Sequence, residues 1–451
     1  MRKPQFSDGG IKHATINGHR FHLRCVDETR DNFLWIDGQQ PPLVLDQTAA
    51  DFMSNIIDGM WQFQRGAGNE SDQLINYVVE KMFEKYGKPL AIGRNRVTRG
   101  RIRADLHSVF GTIMRIAEGN CPVIMGLESK AIDYGQWVCP ARMDLAITHR
   151  CNLSCSKCYL NENQMTELTT DQWIVIYKIL WDIGIPQIVF TGGEPTLRED
   201  LIELVSQADE FVTGLITNGT ELAGLAPKLV DASLDYVQVT IESCESAIHD
   251  SMTQVMGSWV RTSIGIREAL KAGLSVVTNT TITRANAATF IPTMKYLAEK
   301  GVENIACNTL ICSGRGTNCK NESGLADFEL VPILQEGLKV AEDLGLNFQW
   351  YSPTCYVQGI DPVELGFGPK SCSAAAHNMT IEPNGDVLPC QSWPESVGNI
   401  LKVPWPDIWE HPTCLDLRDH LFSDPSCDLC KYKSECGGGC PLDKSPRGKE
   451  S

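Results

Sequence analysis

Long apolar runs are missing from this 451-residue chain. Its most apolar stretch, Trp173–Phe190, is interrupted by Lys178, Asp182 and Pro186, whereas a membrane-spanning helix needs about 20 consecutive apolar residues. The opening residues, MRKPQFSDGG, contain no apolar core of the kind a secretory signal carries. These absences lead us to expect a cytoplasmic protein with no membrane partner. Positive charge is also scarce. Lys and Arg number 40 against 56 Asp and Glu, a net charge of −16. Binding nucleic acid requires many cations to displace phosphate counterions, so no nucleic-acid partner is expected. Internal repeats and low-complexity tracts are lacking too. With 42% hydrophobic and 21% charged residues, the composition excludes disordered, collagenous and coiled-coil chains. The length leaves room for two to four domains at about 100–200 residues each.

Cysteine, by contrast, is abundant at 18 residues. In a reducing compartment, clustered thiols bind metal or do chemistry and seldom pair as disulfides. Charge is distributed unevenly as well. Residues 1–120 hold 16 Lys/Arg against 14 Asp/Glu, which leaves −18 for the remainder.

Three regions separate by pattern. In the first, β-like runs at His19–Val26 and Phe33–Asp37 precede helical patterns at Asp46–Phe63, Ser71–Tyr86 and Arg103–Glu118. Phe52, Ile56, Ile57, Met60 and Trp61 recur at helical spacing behind Asp46, a candidate N-cap. Strands followed by three helices suggest a winged-helix-like module. From residue 143 a strand–helix alternation begins. Strand-like runs fall at Met143–Thr148, Gln187–Thr191, Gly214–Thr217, Tyr236–Ile241, Ser275–Thr281 and Asn304–Leu310. Helical segments include Thr170–Ile183, Ser258–Ala272 and Ala288–Lys300. Six such alternations predict a parallel sheet, open or curled into a partial barrel, with functional residues at the carboxyl ends of its strands. Beyond about residue 352 the periodicity fades and Gly, Pro and Cys become dense. Eight of the 18 cysteines lie at or after Cys355.

The first strand of the alternation runs into Cys151-Asn-Leu-Ser-Cys155-Ser-Lys-Cys158. Three thiolates at that spacing suit three corners of a four-iron cluster with one iron left open. A structural zinc site short of one ligand fits the spacing too. The next strand ends in Thr191-Gly192-Gly193-Glu194-Pro195. Paired glycines let the backbone approach a ligand closely, and Glu194 is an acceptor suited to a substrate amino group.

At these residues the chain resembles the radical S-adenosylmethionine (SAM) enzymes, over about 140–320. The resemblance implies that Cys151, Cys155 and Cys158 hold a four-iron cluster whose open iron takes SAM. It also implies that Gly192, Gly193 and Glu194 contact the methionine end of SAM. Thr240, Glu242 and Ser243 on the fourth strand, with Asn279 and Thr281 on the fifth, occupy positions where relatives contact the ribose. The loop Ser313-Gly314-Arg315-Gly316 follows the sixth. The family places an aromatic residue before the third cysteine. This chain has Lys157 there, with Tyr159 after the cysteine as a candidate substitute.

Further on, Cys372 and Cys390 flank Gly385, and Cys427, Cys430, Cys436 and Cys440 follow at spacings of two, five and three residues. Spacing alone admits zinc or iron–sulfur. The arrangement resembles the SPASM extension of radical SAM enzymes, which holds two auxiliary four-iron clusters. Carried over, Cys372, Cys390 and Cys440 serve the first, completed by Cys355, and Cys427, Cys430 and Cys436 serve the second. No cysteine follows Cys440, so the fourth ligand of the second is Cys414, a non-cysteine group such as Asp443, or none. Cys307, Cys312 and Cys319 read as structural thiols, with a redox or substrate-facing role as the alternative for Cys312.

Residues from about 15 to 120 resemble the peptide-recognition element of ribosomal-peptide maturases, similar to the quinoprotein-cofactor chaperone. Six basic residues and no acid fall within Lys88–Arg103, a complement for an acidic leader or simply a solvated loop. The expected architecture is α/β. A winged-helix-like module (1–120) and a linker (121–142) precede a partial (β/α)6 TIM-like barrel (143–350) and a Cys-rich SPASM domain (351–451). The expected activity is radical SAM maturation of a ribosomally made precursor peptide bearing a leader, with flavodoxin or ferredoxin as reductant. The alternatives are a small-molecule or tetrapyrrole-modifying member, a maturase of another enzyme, or a zinc-stabilised binding protein without catalysis.

Overall fold

A hairpin closed by Asn17-Gly18 opens the structure, a computed structural model that describes residues 11–24, 32–38, 42–63, 70–87, 97–118, 138–160, 165–317, 323–356 and 360–443. The chain divides into two units, Met1–Asp133 with Glu210–Val212, and Tyr134–Asp209 with Thr213–Ser451.

In the first unit, β1 (Ile11–Ile16) and β2 (His19–Arg24) pair antiparallel. Asn17 and Gly18 between them are both left-handed, with φ of 52° and 86°, the two-residue turn whose twist matches that of its strands. β3 (Asn32–Ile36) and β4 (Leu43–Leu45) extend the sheet in the order β1-β2-β3-β4. Neither β1 nor β4 was expected, although Asn-Gly is the signal that marks the hairpin. Val26, in the expected first run, lies outside the described residues.

Three helices follow, α1 (Gln47–Phe63), α2 (Glu70–Tyr86) and α3 (Arg99–Ala117). Asp46 Oδ1 accepts from the Ala49 amide at 2.7 Å, capping α1 as expected. The third helix starts four residues earlier than expected because Thr98 Oγ1 accepts from the Arg101 amide at 3.2 Å. Phe52, Met53, Ile56 and Ile57 of α1 bury against Phe21, Leu34, Ile102 and Leu106. Of the basic run, Lys88, Arg94 and Arg96 lie outside the described residues. Arg99 is paired with Glu80, Arg101 with Asp105, and Arg103 donates to Asn76, so these three face partners of their own unit. The expected linker lies outside the described residues through residue 137.

In the second unit the six expected strands form and lie side by side in chain order. They are β5 (Arg142–Thr148), β6 (Gln187–Gly192), β7 (Val212–Thr217), β8 (Tyr236–Thr240), β9 (Ser275–Ile282) and β10 (Asn304–Thr309). Connecting them are α4 (Thr170–Ile183), α5 (Leu201–Ser206), α6 (Leu222–Asp231), α7 (Ser246–Thr253), α8 (Ser258–Lys271) and α9 (Ala287–Glu299). α4 shows why such segments begin and end where they do. Thr169 and Gln172 form a reciprocal capping box, and Gly184 ends the helix at φ 93°.

The sheet is larger than expected. After α10 (Asp327–Leu344), β11 (Asn347–Trp350) adds in parallel outside β10. At the other edge, β12 (Asn378–Ile381) pairs in parallel with β5, and β13 (Asp386–Leu388) and β14 (Gly398–Asn399) continue antiparallel. The Cys-rich segment is thus mounted on the same ten-stranded sheet. Toward the amino ends of the strands, Arg142 Nε donates to Asp144 at 2.6 Å and Gln187 Nε2 to Tyr236 Oη at 2.8 Å. A Cβ on Gly214 would lie 2.4 Å from the Tyr236 ring, which explains the glycine there.

Phe52→Ala removes a ring only 2% exposed from the first unit and should destabilise that unit by about 3–5 kcal/mol. Thermal unfolding of the full chain should show an earlier first transition, while the transition of the second unit stays unchanged.

Candidate metal and cofactor site

The loop that follows β5 is held from three sides by main-chain hydrogen bonds. The Ser154 and Ser156 amides donate to Thr253 and Met252 at the end of α7, at 3.1 and 3.2 Å. The Arg315 amide, in the loop after β10, donates to the Cys158 carbonyl at 2.8 Å. Gly314 beside it has φ 52°, and a Cβ there would lie 2.4 Å from the Tyr159 carbonyl. The third attachment comes from the glycine turn. The Gly193 amide donates to Thr148 O and the Glu194 amide to Arg150 O, both at 2.8 Å.

That attachment requires both glycines. A Cβ on Gly192 would lie 2.0 Å from Thr148 O, and one on Gly193 2.4 Å from Arg150 O. What comes close to these positions is the backbone of the cysteine loop itself. Glu194 is held within the chain as well. Its carboxylate is fully buried and accepts from Thr196 and Thr217, and from the Asn218 amide at 2.7 Å. Burial raises its pKa while these donors oppose the rise. These contacts let the carboxylate brace the ends of β6 and β7. Asn218, which sequence reasoning missed, donates to Asn152 Oδ1 at 2.8 Å and lies 4.0 Å from Cys151 Sγ.

Cys151 is exposed and Cys155 and Cys158 are half-buried, and the described cysteines form no disulfide. Burial, then the nearby Glu242 carboxylate, pushes the Cys155 thiol up to about 12. Bonding to a metal reverses such a shift. Among the described residues, no three His, Cys, Asp or Glu side chains converge on a single metal ion. What suits a four-iron cluster is the donor set itself, three thiols on one loop at spacings of three and two residues.

Register places Thr240 opposite Asn279 and Thr281 opposite Asn308, and side chains at such paired positions share a face of the sheet. Asn279 Nδ2 donates to Asn308 at 3.0 Å, while Asn279 Oδ1 is buried without a partner among the described residues. Glu242 meets the Lys157 ammonium at 2.7 Å. The Ser243 hydroxyl donates to Thr289 of α9 at 2.9 Å. Tyr159 Oη donates to the Gly192 carbonyl at 3.2 Å, and burial raises its pKa. It braces the glycine turn. Glu382, just past β12, was also missed. It lies 2.9 Å from His149 Nε2 at the root of the cysteine loop.

The C-terminal cysteines fall into two groups. Burial, with the charges of Cys372 and Cys440, pushes the Cys390 thiol up to about 12, and burial with Cys372 pushes Cys440 up to about 11. Cys355 joins Cys440 and Asp443 in the lining of a cavity of about 40 Å³. Cys427 and Cys436 meet at Gly438, whose amide donates to Cys436 Sγ at 3.4 Å and whose Cβ position is 3.4 Å from Cys427 Sγ. Cys430 lies between them in sequence and is half-buried. Gly437, Gly438 and Gly439, with φ of 57°, 86° and 81°, turn the chain from that group to Cys440. Cys414 packs as a core residue of the helix Pro412–Arg418, with Arg418 as its charged neighbour. Asp443 acts on Cys440, which puts it with the first group. Cys307 is fully buried on β10, and Cys319 lies outside the described residues.

Two family profiles match the chain. A profile of the radical SAM superfamily matches residues 145–297, and a SPASM profile, an iron-sulfur cluster-binding domain, matches residues 372–437. The chain is 27% identical to a pre-heme d1 synthase of Dinoroseobacter shibae, over 65% of this chain and 79% of that protein. It is also 27% identical to a PqqA peptide cyclase of Methylocella silvestris, over 67% of this chain and 82% of that one. Among solved structures, Streptococcus suis SuiB bound to precursor peptide SuiA covers 97% of each chain, with a TM-score of 0.62 and 16% identity. Among the described residues, no helix is long and apolar enough to cross a membrane.

Gly193→Ala should force the β6 turn away from the cysteine loop, because its new Cβ meets backbone that no rotamer change can move. Iron content should fall by about four per chain, one four-iron cluster. Gly257→Ala is the control. It has open space and φ 78°, so it should cost about 1–2 kcal/mol of backbone strain and leave iron content unchanged.

Proposed function

We propose that this chain, a radical SAM enzyme with a C-terminal SPASM domain, modifies a ribosomally made precursor peptide that carries a leader segment. The observation that carries this reading is the fold likeness to the SuiB–peptide complex over 97% of the chain, a span that includes the N-terminal sheet. A sheet edge recruits an extended peptide through main-chain hydrogen bonds and pockets for alternate side chains. β1 and β4 are the edges of that sheet. In this reading residues 1–120 bind the leader, 143–350 house the chemistry and 351–451 hold the auxiliary clusters.

Cys151, Cys155 and Cys158 would hold the SAM-binding cluster. Cys355, Cys372, Cys390 and Cys440 would hold one auxiliary cluster, and Cys427, Cys430 and Cys436 the other. When bound, the reduced cluster and SAM supply a carbon-centred radical that removes a hydrogen atom from the substrate. The chain's own work is placement and exclusion of water. Gly192 and Gly193 fix the loop, Glu194 ties the ends of β6 and β7, and Glu242, Asn279 and Thr281 line the face above which SAM would lie. A flavodoxin or ferredoxin would supply electrons.

A second reading, a tetrapyrrole-modifying enzyme, draws on the 27% identity to pre-heme d1 synthase. The two separate in one anaerobic assay with full-length, cluster-loaded protein, SAM and reductant. Peptide maturation predicts a mass change in a precursor peptide, lost when the leader is removed and raised when the leader is added as a separate chain. Binding of a tetrapyrrole, with no peptide altered and no leader bound, would reverse the assignment. In the same assay Cys155→Ala should abolish 5′-deoxyadenosine formation, measured by chromatography, while the auxiliary irons remain.

A further inference from the structure

Lys157 stands between the second and third cysteines of the loop, where the enzymes this chain resembles carry an aromatic residue. Its ammonium lies 2.7 Å from Glu242 Oε1, with the two side chains 10% and 1% exposed. Glu242 is itself held on both flanks. Its amide donates to His249 Nδ1 at 3.2 Å, and its carbonyl accepts from Asn286 Nδ2 at 2.8 Å. The second carboxylate oxygen, Oε2, is buried and has no partner among the described residues. An acceptor in that condition costs free energy until a donor reaches it. One strand over, Asn279 Oδ1 is in the same condition, because the amide nitrogen of that side chain is committed to Asn308. Both atoms accept and neither donates. They call for a ligand rich in hydroxyl or amino hydrogens, which the nucleoside end of SAM carries on both its ribose and its adenine.

We propose that Lys157 is a positioning residue that holds Glu242 with Oε2 presented to donor hydrogens on the nucleoside of SAM, in the place an aromatic contact would take. The inference rests on the cofactor reading above and is independent of the peptide substrate. A point charge on a flexible stem does this through the carboxylate it pairs with, and on its own offers an adenine ring little stacking surface.

The experiment is anaerobic SAM binding by calorimetry on full-length, cluster-loaded protein without peptide, with iron content and Tm measured for each variant. Lys157→Met should weaken SAM at least tenfold, and Lys157→Arg, which keeps the charge, should stay within threefold. Glu242→Gln should weaken SAM at least tenfold with iron content unchanged. The double variant Lys157→Met/Glu242→Gln should bind no more weakly than Glu242→Gln alone, because the lysine acts through the carboxylate. With wild-type protein, a 2′-deoxy or an N6,N6-dimethyl analogue of SAM should lose affinity, and the one that does identifies the donor as ribose or adenine. Lys157→Met or Glu242→Gln within twofold of wild type, or additive losses in the double variant, would overturn the proposal. Should Lys157→Met fail to load its cluster, Lys157→Gln, which keeps a donor without the charge, replaces it and is read by the same limits. Wild-type protein that loads iron yet binds no SAM would instead refute the cofactor reading.

Discussion

Two main-chain hydrogen bonds, from Gly193 to Thr148 and from Glu194 to Arg150, are the constraint on which the rest of the site depends. They join the end of β6 to the root of the cysteine loop. They can form because neither Gly192 nor Gly193 has a side chain to keep the backbones apart. Once the turn is seated, the Glu194 carboxylate is carried inward to Thr217 and the Asn218 amide, and Asn218 reaches on to Asn152 and the neighbourhood of Cys151. Three strand ends are thereby locked around three thiols. A reaction that depends on placing one carbon–hydrogen bond beside a radical needs such prior rigidity more than it needs further functional groups.

The same constraint extends to the C-terminal cysteines. β12 continues the sheet from β5, and Glu382 behind it meets His149 two residues before Cys151. On the opposite side, Ser313 donates to the Ser392 carbonyl at 3.0 Å and to the Tyr159 carbonyl at 3.3 Å. That hydroxyl bridges the residue after Cys158 to the turn that holds Cys390. Both thiol groups are thus fixed to one sheet.

Much of this could be read from residues alone, for reasons that are physical. β5 to β10 alternate with helices long enough to show their period, and the cysteine and glycine spacings carry their chemistry in the chain order. β11 and β12 were missed because each is four residues long, and β12 lies where Gly, Pro and Cys hide any period. β1 was missed although Asn17-Gly18 announces its hairpin. The direction of the Glu194 carboxylate and the partner of Lys157 could not be read at all. Both depend on strands 24 to 85 residues away in sequence coming side by side, a property of the fold that no local pattern encodes.

The central claim is that Cys151, Cys155 and Cys158 hold a cluster with one iron open to SAM. Low-temperature electron paramagnetic resonance of reduced protein, with Cys372, Cys390, Cys427 and Cys430 replaced by alanine, tests it most directly. The account predicts one four-iron signal whose g values shift when SAM is added. A signal indifferent to SAM, or a protein that binds zinc and shows no such signal, would contradict it.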